Sequence, residues 1–398
     1  MCLLALAVPA MAEEIQNKTD AGYSLVFKEE VRFGAGEDDN TLWNDANSKL
    51  VPGKDGQMYV FDVAESRVLV FDKDGKFIRQ AIGKGNGPGE LHTVICVSQA
   101  ADAGTIFVMD ADPTAPGAAP RITRFDLEMN YIDTINAIGM PGIPAIVTAS
   151  PDGKYLGGIF AKIDMAAGNN TLITGVMEVE SKQMVNTITT IPLPLPDTSR
   201  MGEQSMWIDY LAEQFKILYN FGMITIGQNN QIYSAVSKDY RISRWEPGGK
   251  TSTLDFSREY KPIPFDDEAR KDLLDHFYES LPAGARTIIT RETLSKGLDK
   301  ADLPPRKTPL LALLSIEDKA VMIVHDVDVK TRENIGDVFD LNGKYLCSVT
   351  VPDNGLYSFT NSNPSIRMIF RDGKAYAMHT NEDGDQIAVR YSYNLGKR

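Results

Sequence analysis

The sequence is poor in cysteine, short of positive charge and without a long apolar run. Three cysteines in 398 residues are too few to staple a disulfide scaffold. Lys and Arg number 41 against 54 Asp and Glu, a formal net charge of −13. That balance speaks against a general nucleic-acid binder, which needs a basic stripe for the phosphate backbone. No run approaches the roughly 18–20 apolar residues of a membrane-spanning helix. Also missing are a serine nucleophile elbow, a zinc-binding helix motif and a phosphate loop of the usual spacing. What is present is ordinary apolar content, 43% of residues, enough to bury a large core and to exclude disorder. Length alone points to two or three domains, although large all-β domains often exceed the usual size.

The amino terminus reads as an export signal. Leu3–Val8 is apolar, and Ala10-Met11-Ala12 is a small-residue cleavage pattern followed by Glu13 and Glu14. Residues 1–12 are therefore expected to be a signal remnant and the protein to be exported, soluble and periplasmic or extracellular. Cys2 precedes the apolar core, whereas a lipidated cysteine follows it. Cleavage after Ala12 leaves Cys96 and Cys347, each inside an apparent strand, where a thiol behaves as a small hydrophobe.

A degenerate repeat organises the rest. Asp55-Gly56 leads into Gln57–Asp62, Arg67–Asp72 follows, and Lys73-Asp74-Gly75-Lys76 turns into Phe77–Ile82. Asp-Gly supplies the backbone angles of a tight turn. Similar units begin near Thr105, Pro151, Gln231, Ala320 and Asp372. Six copies of about 45 residues match the period of four-stranded blades. The predicted fold is all-β, a six-bladed β-propeller over residues 13–398. The spare strand between Leu25 and Phe33 is expected to complete the last blade and close the ring. Gly83-Lys84-Gly85-Asn86-Gly87-Pro88-Gly89-Glu90-Leu91, with the strand pair Tyr59–Asp62 and Arg67–Asp72, resembles NHL-repeat propellers, which are related to TolB-like propellers. That resemblance implies a six-bladed propeller of a kind common among exported bacterial proteins, and no single activity.

Two inserts break the period, at about 192–220 and 262–308. In the first, Trp207, Leu211, Phe215 and Leu218 recur at helical spacing over Ser205–Tyr219. In the second, Asp266 or Asp267 caps a helix over Asp267–Ser280, with Leu273, Leu274 and Phe277 on one side and His276 within it. Residues 282–308 are mixed, polar and Pro-containing.

One constellation has chemical promise. Tyr59, Phe107, Tyr155, Tyr233, Met322 and Tyr376 align as equivalent inner-strand positions, and three residues later stand Asp62, Asp110, Gly158, Val236, His325 and His379. Asp62, Asp110, His325 and His379 then form an arc at one mouth of the channel. Two imidazoles and two carboxylates suit a divalent transition metal or acid–base work. The competing reading makes Asp62–Arg67 and Asp110–Arg121 structural ion pairs. The function expected is non-catalytic binding at the loop-rich mouth, with an envelope protein or a small molecule as partner and no cofactor required. A metal-assisted lyase or lactonase-like hydrolase is the alternative, and a structural scaffold contacting others through its helices a third. The acidic surface favours a basic or neutral partner.

Overall fold

The computed structural model describes residues 12–34, 43, 48–85, 87–112, 120–164, 170–281, 283–308, 310–327, 333–352, 368–380 and 385–398. Residues 1–11, which carry most of the expected export signal, and the side chain of His276 lie outside the described residues.

Tyr23–Phe33 and the repeats build six sheets of four strands. After β1 (Glu13–Asn17) and β2 (Tyr23–Phe33), blade one comprises β3 (Lys49–Pro52), β4 (Met58–Asp62), β5 (Arg67–Phe71) and β6 (Phe77–Ile82). Blade two comprises β7 (Thr93–Ala100), β8 (Thr105–Ala111), β9 (Arg121–Asp126) and β10 (Tyr131–Asn136). Blade three comprises β11 (Ile143–Ala149), β12 (Tyr155–Lys162), β13 (Thr171–Glu178) and β14 (Met184–Pro192). After α1 (Gln204–Tyr219) comes blade four, β15 (Gly222–Ile226), β16 (Ile232–Val236), β17 (Ile242–Trp245) and β18 (Leu254–Arg258). Three helices follow, α2 (Asp267–Ser280), α3 (Ala283–Arg286) and α4 (Arg291–Ala301). Blade five comprises β19 (Ala312–Ile316), β20 (Ala320–Val327), β21 (Asn334–Asp340) and β22 (Tyr345–Val351). Blade six comprises β23 (Met368–Arg371), β24 (Lys374–Thr380) and β25 (Gln386–Lys397), with β2 antiparallel to β25 as its outer strand.

The first strands of the blades abut in succession around an axis, from β3 to β7, β11, β15, β19 and β23, and β24 returns to β3. Burial peaks in the second strands: β7 beside the axis is only partly buried, whereas β8 is almost wholly so. Every residue of β4 is buried, because neighbouring blades cover both of its faces, whereas outer β6 is mostly exposed. This explains why second strands read as unbroken apolar runs and outer strands as mixed ones. The main apolar clusters lie between blades. Phe61 and Val108 pack at the one–two seam, Phe256 and Phe339 at the four–five seam, and Met322 and Val389 at the five–six seam. Asn342-Gly343 illustrates the turn chemistry. Gly343 has φ +81, and an added Cβ would stand 2.8 Å from Phe256 of the neighbouring blade. Only glycine meets both demands cheaply.

Three features were not anticipated. β1 adds a fifth, parallel strand to the edge of blade four. The aligned positions from Tyr59 to Tyr376 fall on second strands rather than on the strands nearest the axis. Residues 282–308 contain α3 and α4. The helices expected over Ser205–Tyr219 and Asp267–Ser280 are α1 and α2, and Asp266 caps α2 by accepting the Ala269 N–H at 2.9 Å. α4 starts from a Thr290 cap and packs Leu294 and Leu298 against Leu211 and Phe215 of α1. Cys96 and Cys347 are free and buried, and burial pushes the Cys96 thiol up to about 12. No described helix is long and apolar enough to cross a membrane.

Candidate binding site

Antiparallel order gives the propeller two distinct ends. The turn between second and third strands emerges at the same end as the exit of the fourth strand; the other two turns emerge opposite. Both inserts leave from fourth strands, so α1 and α2–α4 belong to this linker end. Lys238 in the second-to-third turn of blade four accepts a bond from Arg306 there.

The four arc residues also stand toward the linker end, but each is held by a partner in its own blade. Asp62 is buried and accepts from Arg67 Nε at 2.9 Å. Asp110, fully buried, accepts from Arg121 Nη2 at 3.0 Å and from the His92 backbone N–H at 2.9 Å. His325 Nε2 is in ion-pair contact with Asp337 Oδ2 at 3.2 Å. His379 Nε2 lies 2.9 Å from Tyr391 Oη. The register makes this unavoidable. Asp62 is directly opposite Arg67, and Asp110 opposite Arg121, in the second-to-third strand ladders. Among the described residues no three His, Cys, Asp or Glu side chains group as a metal cage.

The richest polar cluster is centred on Asp337, which the sequence reading missed. Asp337 is wholly buried on β21 at the seam between blades four and five. Its carboxylate accepts from Arg258 Nε at 2.6 Å, Ser348 Oγ at 2.6 Å and Tyr345 Oη at 3.2 Å, and also from the Tyr240 hydroxyl. Tyr240 stacks on Tyr260 with ring centroids 4.5 Å apart, and both rings meet His325 edge-on. Desolvation alone would raise the Asp337 pKa. The close contact of His325, with the bonds from Arg258 and Ser348, outweighs it and holds the carboxyl well below its usual range. The same burial, reinforced by the Asp337 charge, pushes Tyr240 well above the usual phenol value. A buried carboxylate so fully bonded is suited to locking two blades together. The available signal was an aspartate within the run Ile335-Gly336-Asp337-Val338-Phe339, two residues before a core phenylalanine and so on the same strand face.

At the opposite end lies a cavity of about 190 Å³ on the axis, to which all six first strands contribute. Ser98, Gln99, Thr148, Thr225, Gln228 and Ser315 supply hydroxyl and amide groups, and Lys49, Glu317 and Arg371 supply charge. Such a cavity, part apolar with a few convergent polar groups, is the usual form of a small-molecule site.

A family comparison agrees on architecture. The DUF5128 family model, whose description is a 6-bladed beta-propeller, matches residues 46–191, less than half of the chain. No curated protein matches. Among solved structures, a Bacteroides fragilis protein named "Putative exported protein" is 11% identical, covering 97% of this chain and 99% of that one, with a TM-score of 0.48. A DUF4221 family member from Bacteroides vulgatus is 8% identical over 94% of this chain and 99% of that one, also with a TM-score of 0.48. A catalytically inactive virginiamycin B lyase from Staphylococcus aureus is 11% identical over 92% and 99%, with a TM-score of 0.39. The sheet order and the family match together make the chain a six-bladed β-propeller of four-stranded blades.

Proposed function

We propose that this propeller is an exported, non-catalytic binding protein that engages its partner at the linker end, on and beside the helical insert. The observation that supports this is the insert's own core. Trp207, Leu211, Phe215, Leu294 and Leu298 are buried among the helices, apart from the clusters at the blade seams. The insert is thus a rigid platform added to a scaffold, the usual arrangement for binding. The acidic chain favours a basic or neutral envelope partner. A metal-assisted lyase or lactonase would require Asp62, Asp110, His325 and His379 at one centre, whereas each is engaged by a different partner.

Glu268 and Asp272 are exposed on α2, so their reversal tests the surface without disturbing the core. Immobilised full chain is expected to retain a reproducible partner from envelope extract, and the pair Glu268→Lys and Asp272→Lys to lose it with an unchanged melting temperature. Failure of the full chain to retain one, or equal retention by the variant, would overturn the reading. Export is supported by the apolar run Leu3–Val8 and the small-residue pattern Ala10-Met11-Ala12. β1 begins at Glu13, so cleavage after Ala12 leaves every described strand intact. Amino-terminal sequencing of protein from the envelope fraction should return Glu13.

A further inference from the structure

The axial cavity has a charge balance of its own. Glu317, its acidic residue, is already spent. Its Oε1 accepts the Gly373 N–H at 2.7 Å, and its Oε2 is bonded by Lys319 Nζ at 3.0 Å and by the Tyr393 hydroxyl. Arg371 is in the opposite condition. Its side chain is only 16% exposed, and among the described residues its one ion-pair partner is Asp372, with Nε 3.5 Å from a carboxylate that is itself 79% exposed. Among the described residues nothing else bonds its guanidinium, and the residue lines the cavity.

The backbone beneath Arg371 is well fixed. Arg371 pairs with Lys374 across a two-residue turn in which Asp372 and Gly373 have φ +51 and +70, the left-handed pair that tight hairpins favour. The bond from the Gly373 N–H to Glu317 ties this turn to blade five. The neutral groups are part-used in ways that leave capacity. Ser98 Oγ accepts the Ala149 N–H at 2.7 Å and keeps its own proton, and Gln99 Nε2 donates to Pro52 O at 2.9 Å and keeps its carbonyl oxygen. In an otherwise acidic protein, the cavity therefore offers cationic and hydroxyl-binding groups together.

We propose that the axial cavity binds a small organic acid, its carboxylate held by Arg371 and its hydroxyls by Ser98, Gln99 and their neighbours around the axis. The planar guanidinium matches a carboxylate with paired hydrogen bonds. The size agrees as well: a cavity of about 150 Å³ accommodates a benzene-sized molecule, and this one is about 190 Å³. The site is at the opposite end from the helical insert, so it stands or falls independently of the partner-binding reading.

The test is calorimetric titration and thermal shift of the full chain with L-lactate, L-malate, D-gluconate and inorganic phosphate, each at up to millimolar concentrations in a zwitterionic buffer. At least one organic acid is expected to bind saturably and more tightly than phosphate. Arg371→Gln should weaken that binding by about tenfold or more, the worth of a charge-assisted hydrogen bond. Arg371→Lys should recover only part of it, and Asp372→Asn, which removes the competing carboxylate, should retain or tighten it. Circular dichroism establishes that each variant is folded; should Arg371→Gln not fold, Asp372→Asn and Arg371→Lys decide. No saturable binding of any organic acid, phosphate binding alone, or an affinity unchanged by Arg371→Gln (or by Arg371→Lys, should the first not fold) would overturn the proposal.

Discussion

Blades one and two and the seam between blades four and five solve the same problem in different ways. In the first two blades a buried aspartate takes an arginine from the facing strand of the same sheet, Asp62 from Arg67 and Asp110 from Arg121. At the four–five seam, Asp337 takes Arg258 from one blade and His325, Tyr345 and Ser348 from the other. The in-blade pairs hold a hairpin together. The Asp337 network holds two blades together, and its partners depend on one another. A local pair is replaceable, whereas a hub orphans several groups when its centre is removed.

This contrast is open to mutation. Asp337→Ala should have the largest effect, a loss of about 3–5 kcal/mol from leaving Arg258 and the Tyr240, Tyr345 and Ser348 hydroxyls without their shared acceptor, measured by urea unfolding. The same residue sets an acid limit. Its folded pKa is depressed, so the stability it contributes is present above the unfolded value near 3.8 and is lost as pH falls through the lower folded value. Asp337→Asn should flatten the decline in melting temperature below about pH 4. Asp62→Ala should cost less, about 1–3 kcal/mol, because Asp62 bonds one side chain, Arg67, where Asp337 bonds four. Equal losses at the two sites would erase the distinction between hub and pair. Asp266→Ala should have the smallest effect, about 1 kcal/mol from a lost helix cap. It should appear as faster amide exchange in α2 with blade-seam protection unchanged.

The sequence displayed local features well and distant ones poorly. Asp74-Gly75, Asn342-Gly343 and Asp372-Gly373 exposed the blade period because turn chemistry is written in adjacent residues. The helices α1 and α2 were readable from apolar spacing and, for α2, the Asp266 cap. α4 was not, because its buried face is Thr293, Leu294, Gly297, Leu298 and Ala301, of which only the two leucines are large apolar residues. The first strands were misplaced because β3 has only four residues, Lys49–Pro52, and the stronger apolar signal belongs to β4. Asp337 was missed for another reason. Arg258 lies 79 residues from it in sequence and Tyr240 lies 97, so no window shows them together. Arg371 was likewise legible only as part of a turn until six blades were placed around it.

The pairing of β2 with β25 also imposes an order in time. Ser392 Oγ reaches Lys28 O across 364 residues, so one of the earliest strands synthesised has to wait for the last. Until then β2 is without its partner strand and the ring stays open. Such long-range pairing is slow, and an exposed edge invites wrong partners. If the chain crosses a membrane before folding, its vulnerable interval extends from the arrival of blade one to the arrival of the final dozen residues, and a carboxy-terminal truncation would make that interval permanent.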